Sequence, residues 1–196
     1  DEFWNSLKQG RNGIGKLEKF DTSEMTTKVA AFIDDFEPTD FVDKKEAKRM
    51  DRYTQFALAA AKLAVDSSGL CPEKVDSGRF GVVVGSGVGG IETLEKQHEV
   101  LMNKGPGRVS PFFIPMMIAN MAVGRIAIKY GAKGYNECIV TACATSTNAV
   151  GDAFKVIQRG DADVIISGGA EAAITPLSFA GFYSMGAMSR NENPDE

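Results

Sequence analysis

The sequence predicts an α/β fold, a largely parallel sheet between helix layers. Apolar runs alternate along the chain with stretches of helical spacing. Those runs, such as Phe80-Gly81-Val82-Val83-Val84 and residues 163–167, are apolar almost throughout, as strands covered on both faces are. With 196 residues, 43% of them apolar, the chain has enough material for a core.

Each element follows from local pattern. Residues 3–15 predict a short helix and turn. Residues 21–37 are mixed and polar, with a strand over 29–33. Asp43-Lys44-Lys45-Glu46 has the form of a capping box, with Asp43 as N-cap and Glu46 reaching back. Tyr53, Phe56, Ala57, Ala60, Leu63 and Ala64 then repeat at helical spacing, so one helix is expected over 44–68, stopped by Gly69. The strand 80–84 runs into Gly85-Ser86-Gly87-Val88-Gly89-Gly90, a polar helix over 91–103 and a loop over 105–115. A helix over 116–130 and a strand over 137–141 come next. Val150, Ala153, Phe154 and Ile157 share one face of a helix from Ala144 to near Gly160. The strand 163–167 ends in Gly168-Gly169, and residues 190–196 are polar. There is no internal repeat. The opening lacks the strand that normally starts an α/β unit, so the chain is expected to be one domain, 1–196, cut at both ends.

Composition narrows the function. A net charge of −4 offers no general field for nucleic acid. No apolar run reaches the ~18 residues of a membrane span. The start Asp1-Glu2-Phe3-Trp4 has no basic n-region, so no signal peptide is expected. Three cysteines without framework spacing point to a reducing compartment, the cytoplasm.

The residue of greatest chemical interest is Cys143, in Ile139-Val140-Thr141-Ala142-Cys143-Ala144-Thr145-Ser146. A β-branched run ends in a cysteine that opens a helix, where free amides and the helix dipole favour a thiolate. A buried core cysteine is the plainer alternative. Against it, Ala142 and Ala144 keep the approach to the sulfur small. A zinc site from Cys138 and Cys143 has the wrong spacing. Gly85, Gly87 and Gly90 match G-x-G-x-x-G, but the acidic strand end expected about twenty residues on is absent, which speaks against a dinucleotide. The loop is better taken as backbone passing close to a substrate, with Val88 its one bulky side chain. Lys44, Lys45, Lys48, Arg49 and Arg52 crowd one helix start. They are either a solvated face or a docking patch for an acidic partner. The one histidine, His98, lies among charged neighbours and is expected at the surface.

Val140-Thr141-Ala142-Cys143-Ala144-Thr145-Ser146, with Gly160-Asp161-Ala162-Asp163 through Gly168-Gly169-Ala170-Glu171, resembles the β-ketoacyl-acyl carrier protein synthases. Within them it is most similar to the synthase II branch, which elongates fatty acids. Ser110-Pro111-Phe112-Phe113-Ile114-Pro115, Asn120-Met121 and Ser189-Arg190-Asn191 support this, and the resemblance covers essentially the whole chain. It implies a thiolase-like fold, of which this is the N-terminal half, lacking the first strand and the C-terminal half.

The resemblance also implies a decarboxylating Claisen condensation, with Cys143 as nucleophile and its own N–H as one oxyanion donor. The two histidines and the lysine of the family belong to the other half, so this chain alone is expected to be inactive. Val88 would border the acyl tunnel, and Phe113 and Ile114 the pocket near a homodimer partner. Lys45, Lys48, Arg49 and Arg108 would receive the acyl carrier protein. Gly107 stands where some members carry a further arginine, and Ile139 would lie in the dimer interface. No metal or redox cofactor is implied, since substrates arrive on the carrier's phosphopantetheine.

Four other readings compete. A polyketide ketosynthase is disfavoured by Thr145-Ser146-Thr147-Asn148, and a chain-length-factor subunit by the presence of Cys143. A hydrolase needs Cys143 to meet His98, and a dinucleotide-binding module needs the missing context of the glycine loop.

Overall fold

The computed structural model describes residues 2–194. Asp1, Asp195 and Glu196 lie outside the described residues, and with them the end of the polar 190–196 stretch. The elements in order are α1 (Glu2–Lys8), β1 (Ile14–Lys16), β2 (Val29–Ala31), α2 (Lys44–Ala47), α3 (Arg52–Ser68), β3 (Phe80–Gly85), α4 (Ile91–Lys104), α5 (Phe113–Met117), α6 (Met121–Tyr130), β4 (Asn136–Glu137), α7 (Thr145–Gln158), β5 (Val164–Gly169) and α8 (Pro176–Ser184). They fall into two compact units. One is formed by the chain up to Phe36 and from Ala173 onward, the other by Glu37–Ala172.

In the first unit β1 and β2 pair antiparallel, with Ile14 opposite Ala31 and Lys16 opposite Val29. The helix α8 carries Pro176 in its first turn, and the Thr175 side chain accepts from the Ser178 N–H. Phe179 is buried and meets Phe20 edge-on, 5.5 Å between ring centres.

The second unit is built on a parallel sheet in the order β4-β3-β5. Along β3, Phe80, Val82 and Val84 join Tyr53, Leu58 and Ala61 of α3 and Ala122, Val123 and Ile126 of α6. Val83 points the other way, onto Ala149 and Ala153 of α7. The period of two thus sends both rows of side chains into apolar layers, which is why the strand reads as unbroken valine. Β5 follows in register, with Phe80 beside Val164 and Gly85 beside Gly169.

Several expected elements are broken, each by a hydrogen bond that competes with the expected pattern. The helix 44–68 is two helices. Asp51 is extended and its side chain accepts from the Tyr53 N–H, so α3 starts afresh there. Glu46 does not complete a capping box; it pairs with Arg125 at 2.7 Å, while Asp43 caps α2 by accepting from the Lys45 N–H. The helix 116–130 breaks at Ile118, where the Tyr53 hydroxyl takes the Ile118 carbonyl and the Gly90 N–H takes that of Met117. The strand 137–141 pairs only at Asn136–Glu137. Beyond it, the Thr141 N–H donates to the Thr145 hydroxyl instead of to a strand. Of the α7 residues expected to share a face, Ala153 packs on the sheet while Val150, Phe154 and Ile157 are exposed.

Candidate active site

Cys143 lies in a 3-10 turn, Ala142–Ala144, one step before α7, and is exposed. The helix therefore begins at Thr145 and not at the cysteine. The residue before it, Ala142, has φ +52°, the only left-handed non-glycine among the described residues. That conformation costs an alanine about 1–2 kcal/mol. It is held by Thr145, buried beneath the turn and bonded to the Thr141 N–H at 2.9 Å, and by Asn148, which donates to the Thr141 hydroxyl at 2.8 Å. The result is a sharp elbow that turns the sulfur outward at the start of a helix. Cys138, five residues earlier, is half-buried, and burial pushes its thiol up. The elbow thus separates an accessible sulfur from an enclosed one.

The glycine loop comes off the end of β3 beside this elbow. A β-carbon on Gly85 would stand 2.2 Å from both the Ile139 carbonyl and the Thr145 methyl, so only glycine lets the strand end meet the turn. One on Gly87 would be 3.9 Å from Ala142. The loop amides do not await a phosphate. The Glu171 carboxylate accepts from Gly87 N–H at 2.7 Å, Val88 N–H at 3.2 Å and the Ser86 hydroxyl at 2.9 Å. This carboxylate of the chain's own fills the cradle that a dinucleotide would need.

Val88 projects from that loop, 48% exposed. The segment α5, bearing Phe113 and Ile114, is locked to the same loop: Gly90 N–H donates to Met117 carbonyl at 2.8 Å. Ile114 is exposed and Phe113 half-buried. Lys45 and Lys48 are exposed on and just after α2, and Arg108 is exposed in the 3-10 turn Pro106–Arg108. Arg49 is half-buried, its guanidinium 4.5 Å from the centre of the Phe112 ring. A backbone hydrogen bond thus ties the glycine loop to α5, and a side-chain contact ties Arg49 to Phe112, the residue before α5. Ile139 is half-buried against Val83, Ala149 and Ala153. His98 is exposed on α4, and no hydrogen bond joins it to Cys143 among the described residues.

Sequence reasoning missed the roles of Glu171, Ser86 and Ala142. The only signal for Glu171 was a carboxylate just past the Gly168-Gly169 strand end. No helix of the described residues is long and apolar enough to cross a membrane.

Comparison with known proteins adds the following. A family model described as beta-ketoacyl synthase, N-terminal domain, matches residues 1–195. A 3-oxoacyl-[acyl-carrier-protein] synthase 2 of Synechocystis sp. is 50% identical over 194 residues, 98% of this chain and 47% of its own length. One of the same name from Staphylococcus aureus is 50% identical over 190 residues, 97% of this chain and 47% of its own. The solved ishigamide ketosynthase/chain length factor is 28% identical, with a TM-score of 0.88 over 97% of this chain and 47% of that one. The chain spans about half the length of the curated relatives it matches.

Proposed function

Because this chain belongs to the beta-ketoacyl synthase family, with its thiolase-like α/β fold, we propose that it supplies the nucleophile of a 3-oxoacyl-acyl carrier protein synthase of the fatty acid elongating type. The observation that carries this is the exposed Cys143 sulfur at the elbow behind Ala142. The thiolate attacks the thioester carbonyl of an acyl-carrier protein. A carbon–sulfur bond to Cys143 forms, the bond to the pantetheine sulfur breaks, and that thiol leaves with a proton. Malonyl-carrier protein then loses CO₂. Its enolate carbon attacks the Cys143 thioester, a carbon–carbon bond forms, and the cysteine sulfur is released with the 3-oxoacyl product left on the carrier.

Val88, Phe113 and Ile114 border the acyl chain in this reading. Lys45, Lys48, Arg49 and Arg108 meet the acidic carrier, steering its approach. The enzyme works as a cytoplasmic homodimer without metal or redox cofactor. His98, exposed on α4, does not serve Cys143 in this reading. The 28% identity to the ishigamide ketosynthase/chain length factor supports a second reading, polyketide extension, which the 50% relatives outweigh.

The test is transfer of a labelled acyl group from acyl-carrier protein, read by peptide mass in the full-length protein. The label is expected on Cys143, lost in Cys143→Ala and kept in Cys138→Ala. Label that persists in Cys143→Ala overturns the proposal.

A further inference from the structure

We infer that Glu171 is a positioning residue: its carboxylate holds the glycine loop in the one arrangement that sets Val88 beside the nucleophile elbow. This rests on the reading above for what Val88 does, but the geometry stands apart from it. The last rung between the neighbouring strands is Ala170 N–H to Gly85 carbonyl, 3.0 Å. Beyond it the two segments leave the sheet, and the Glu171 side chain reaches back across to the loop after β3.

Each of its oxygens has a separate task. Oε2 accepts from the successive amides of Gly87 and Val88, and Oε1 accepts from the Ser86 hydroxyl. That hydroxyl, buried at 1% exposure, accepts in turn from the Gly89 N–H at 3.0 Å. Three consecutive loop amides are thus oriented by one carboxylate, directly or through Ser86. No lysine or arginine pairs with Glu171 among the described residues, so its partners are the loop donors alone. A β-carbon on Gly87 would stand 2.7 Å from Oε2, so the glycine there makes room for the carboxylate.

The chemistry predicts which substitution separates roles. Glutamine keeps length and shape but has one acceptor where the loop presents donors to two. Its NH₂, set toward Ser86, forces that hydroxyl to rotate from donor to acceptor, and the charge that strengthened the bonds from the Gly87 and Val88 amides is gone, so the cradle is held less firmly. Aspartate keeps the charge and both acceptors on a shorter arm.

The experiment compares wild type, Glu171→Gln and Glu171→Asp in the full-length protein with two readouts. One is amide hydrogen exchange at Gly87, Val88 and Gly89, expected to accelerate about tenfold or more in Glu171→Gln. The other is acyl transfer to Cys143 from a short and a long acyl-carrier donor. The ratio of their kcat/KM values is expected to shift by about tenfold in Glu171→Gln, with kcat for the short donor within about twofold of wild type. Aspartate is expected to restore part of both. Unchanged exchange, or faster exchange with an unaltered donor ratio, overturns the inference. If wild type itself transfers no acyl group, the proposed function fails, and the exchange readout alone then judges whether Glu171 holds the loop.

Discussion

Arg79 grips Asp163 with two hydrogen bonds, Nε to Oδ2 and Nη2 to Oδ1, each 2.6 Å, just where β3 and β5 begin side by side. The same guanidinium donates to the Gly160 carbonyl at 2.9 Å, and the Asp163 N–H returns to the Arg79 carbonyl. A bidentate pair of this form fixes strand register better than it adds stability, because both side chains are well exposed.

The hydrogen bonds from Arg79 hold the Asp163 carboxyl below the ordinary carboxylate range. Folded, it binds its proton less readily than unfolded. Its contribution is therefore present above the unfolded value and is lost as pH falls through the lowered one. Asp163→Asn is expected to lower the urea midpoint slightly at about pH 7, and the gap to wild type should close by about pH 2. A gap that widens on acidification would contradict the assignment. Added salt should also narrow it, since the pair is exposed.

The three thiols are expected to differ toward iodoacetamide. Cys143 is exposed in the turn just before α7, Cys71 is exposed at the head of a 3-10 turn, and Cys138 is half-buried with its thiol pushed up by burial. Peptide mass spectrometry over a pH series should show Cys143 modified first, Cys71 next and Cys138 last. Equal rates for all three would show that neither exposure nor the turn sets their order.

Asp51 is enclosed in the core, 3% exposed, and its side-chain hydrogen-bond partners among the described residues are neutral. Oδ1 accepts from the Tyr53 N–H at 3.2 Å; Oδ2 accepts from the Thr93 N–H at 2.9 Å and its hydroxyl at 2.6 Å. The side chain thus caps α3 and ties it to the first turn of α4. Asp51→Ala strands those buried donors and should cost about 3 kcal/mol. Thr93→Val removes one donor and should cost about half as much. Chemical denaturation measures both, and a neutral Asp51→Ala would show that the bond network carries no net weight.

Much of the second unit was legible from sequence because its strands are buried on both faces. The valines of β3 and the apolar centre of β5 leave no alternative period. That a helix follows a β-branched run near Cys143 was legible as well, as a local signal, but the left-handed turn at Ala142 between them was not. What escaped was set by distant partners. The break between α2 and α3 depends on Thr93, 42 residues from Asp51, and the break between α5 and α6 on Tyr53, 65 residues from Ile118. Glu171 meets Gly87 across 84 residues. Spacing rules speak only for neighbours, so a side chain that captures a remote amide or carbonyl leaves no trace in them. The same limit explains Cys143, placed at the helix start by sequence but set one turn-step outside it by the strained Ala142.

Two glycines test how the elbow is held. Gly85 meets the Ile139 carbonyl and the Thr145 methyl so closely that a β-carbon would stand 2.2 Å from each. One of those contacts is backbone, so the added methyl displaces the turn itself. Gly85→Ala is expected to cost about 3 kcal/mol, the upper range for overpacking, and to alter the alkylation rate of Cys143 along with stability. Gly151 lies mid-helix in α7, exposed, with nothing within 4 Å of the position its β-carbon would take. There the substitution only removes backbone freedom from the unfolded chain and restores helix propensity, so Gly151→Ala should stabilise by up to about 1 kcal/mol and leave Cys143 unchanged. Opposite signs in the two urea midpoints, with the thiol rate following Gly85 alone, would show that the elbow is seated by the end of β3. Equal effects would show that α7 as a whole, rather than that one contact, governs the sulfur.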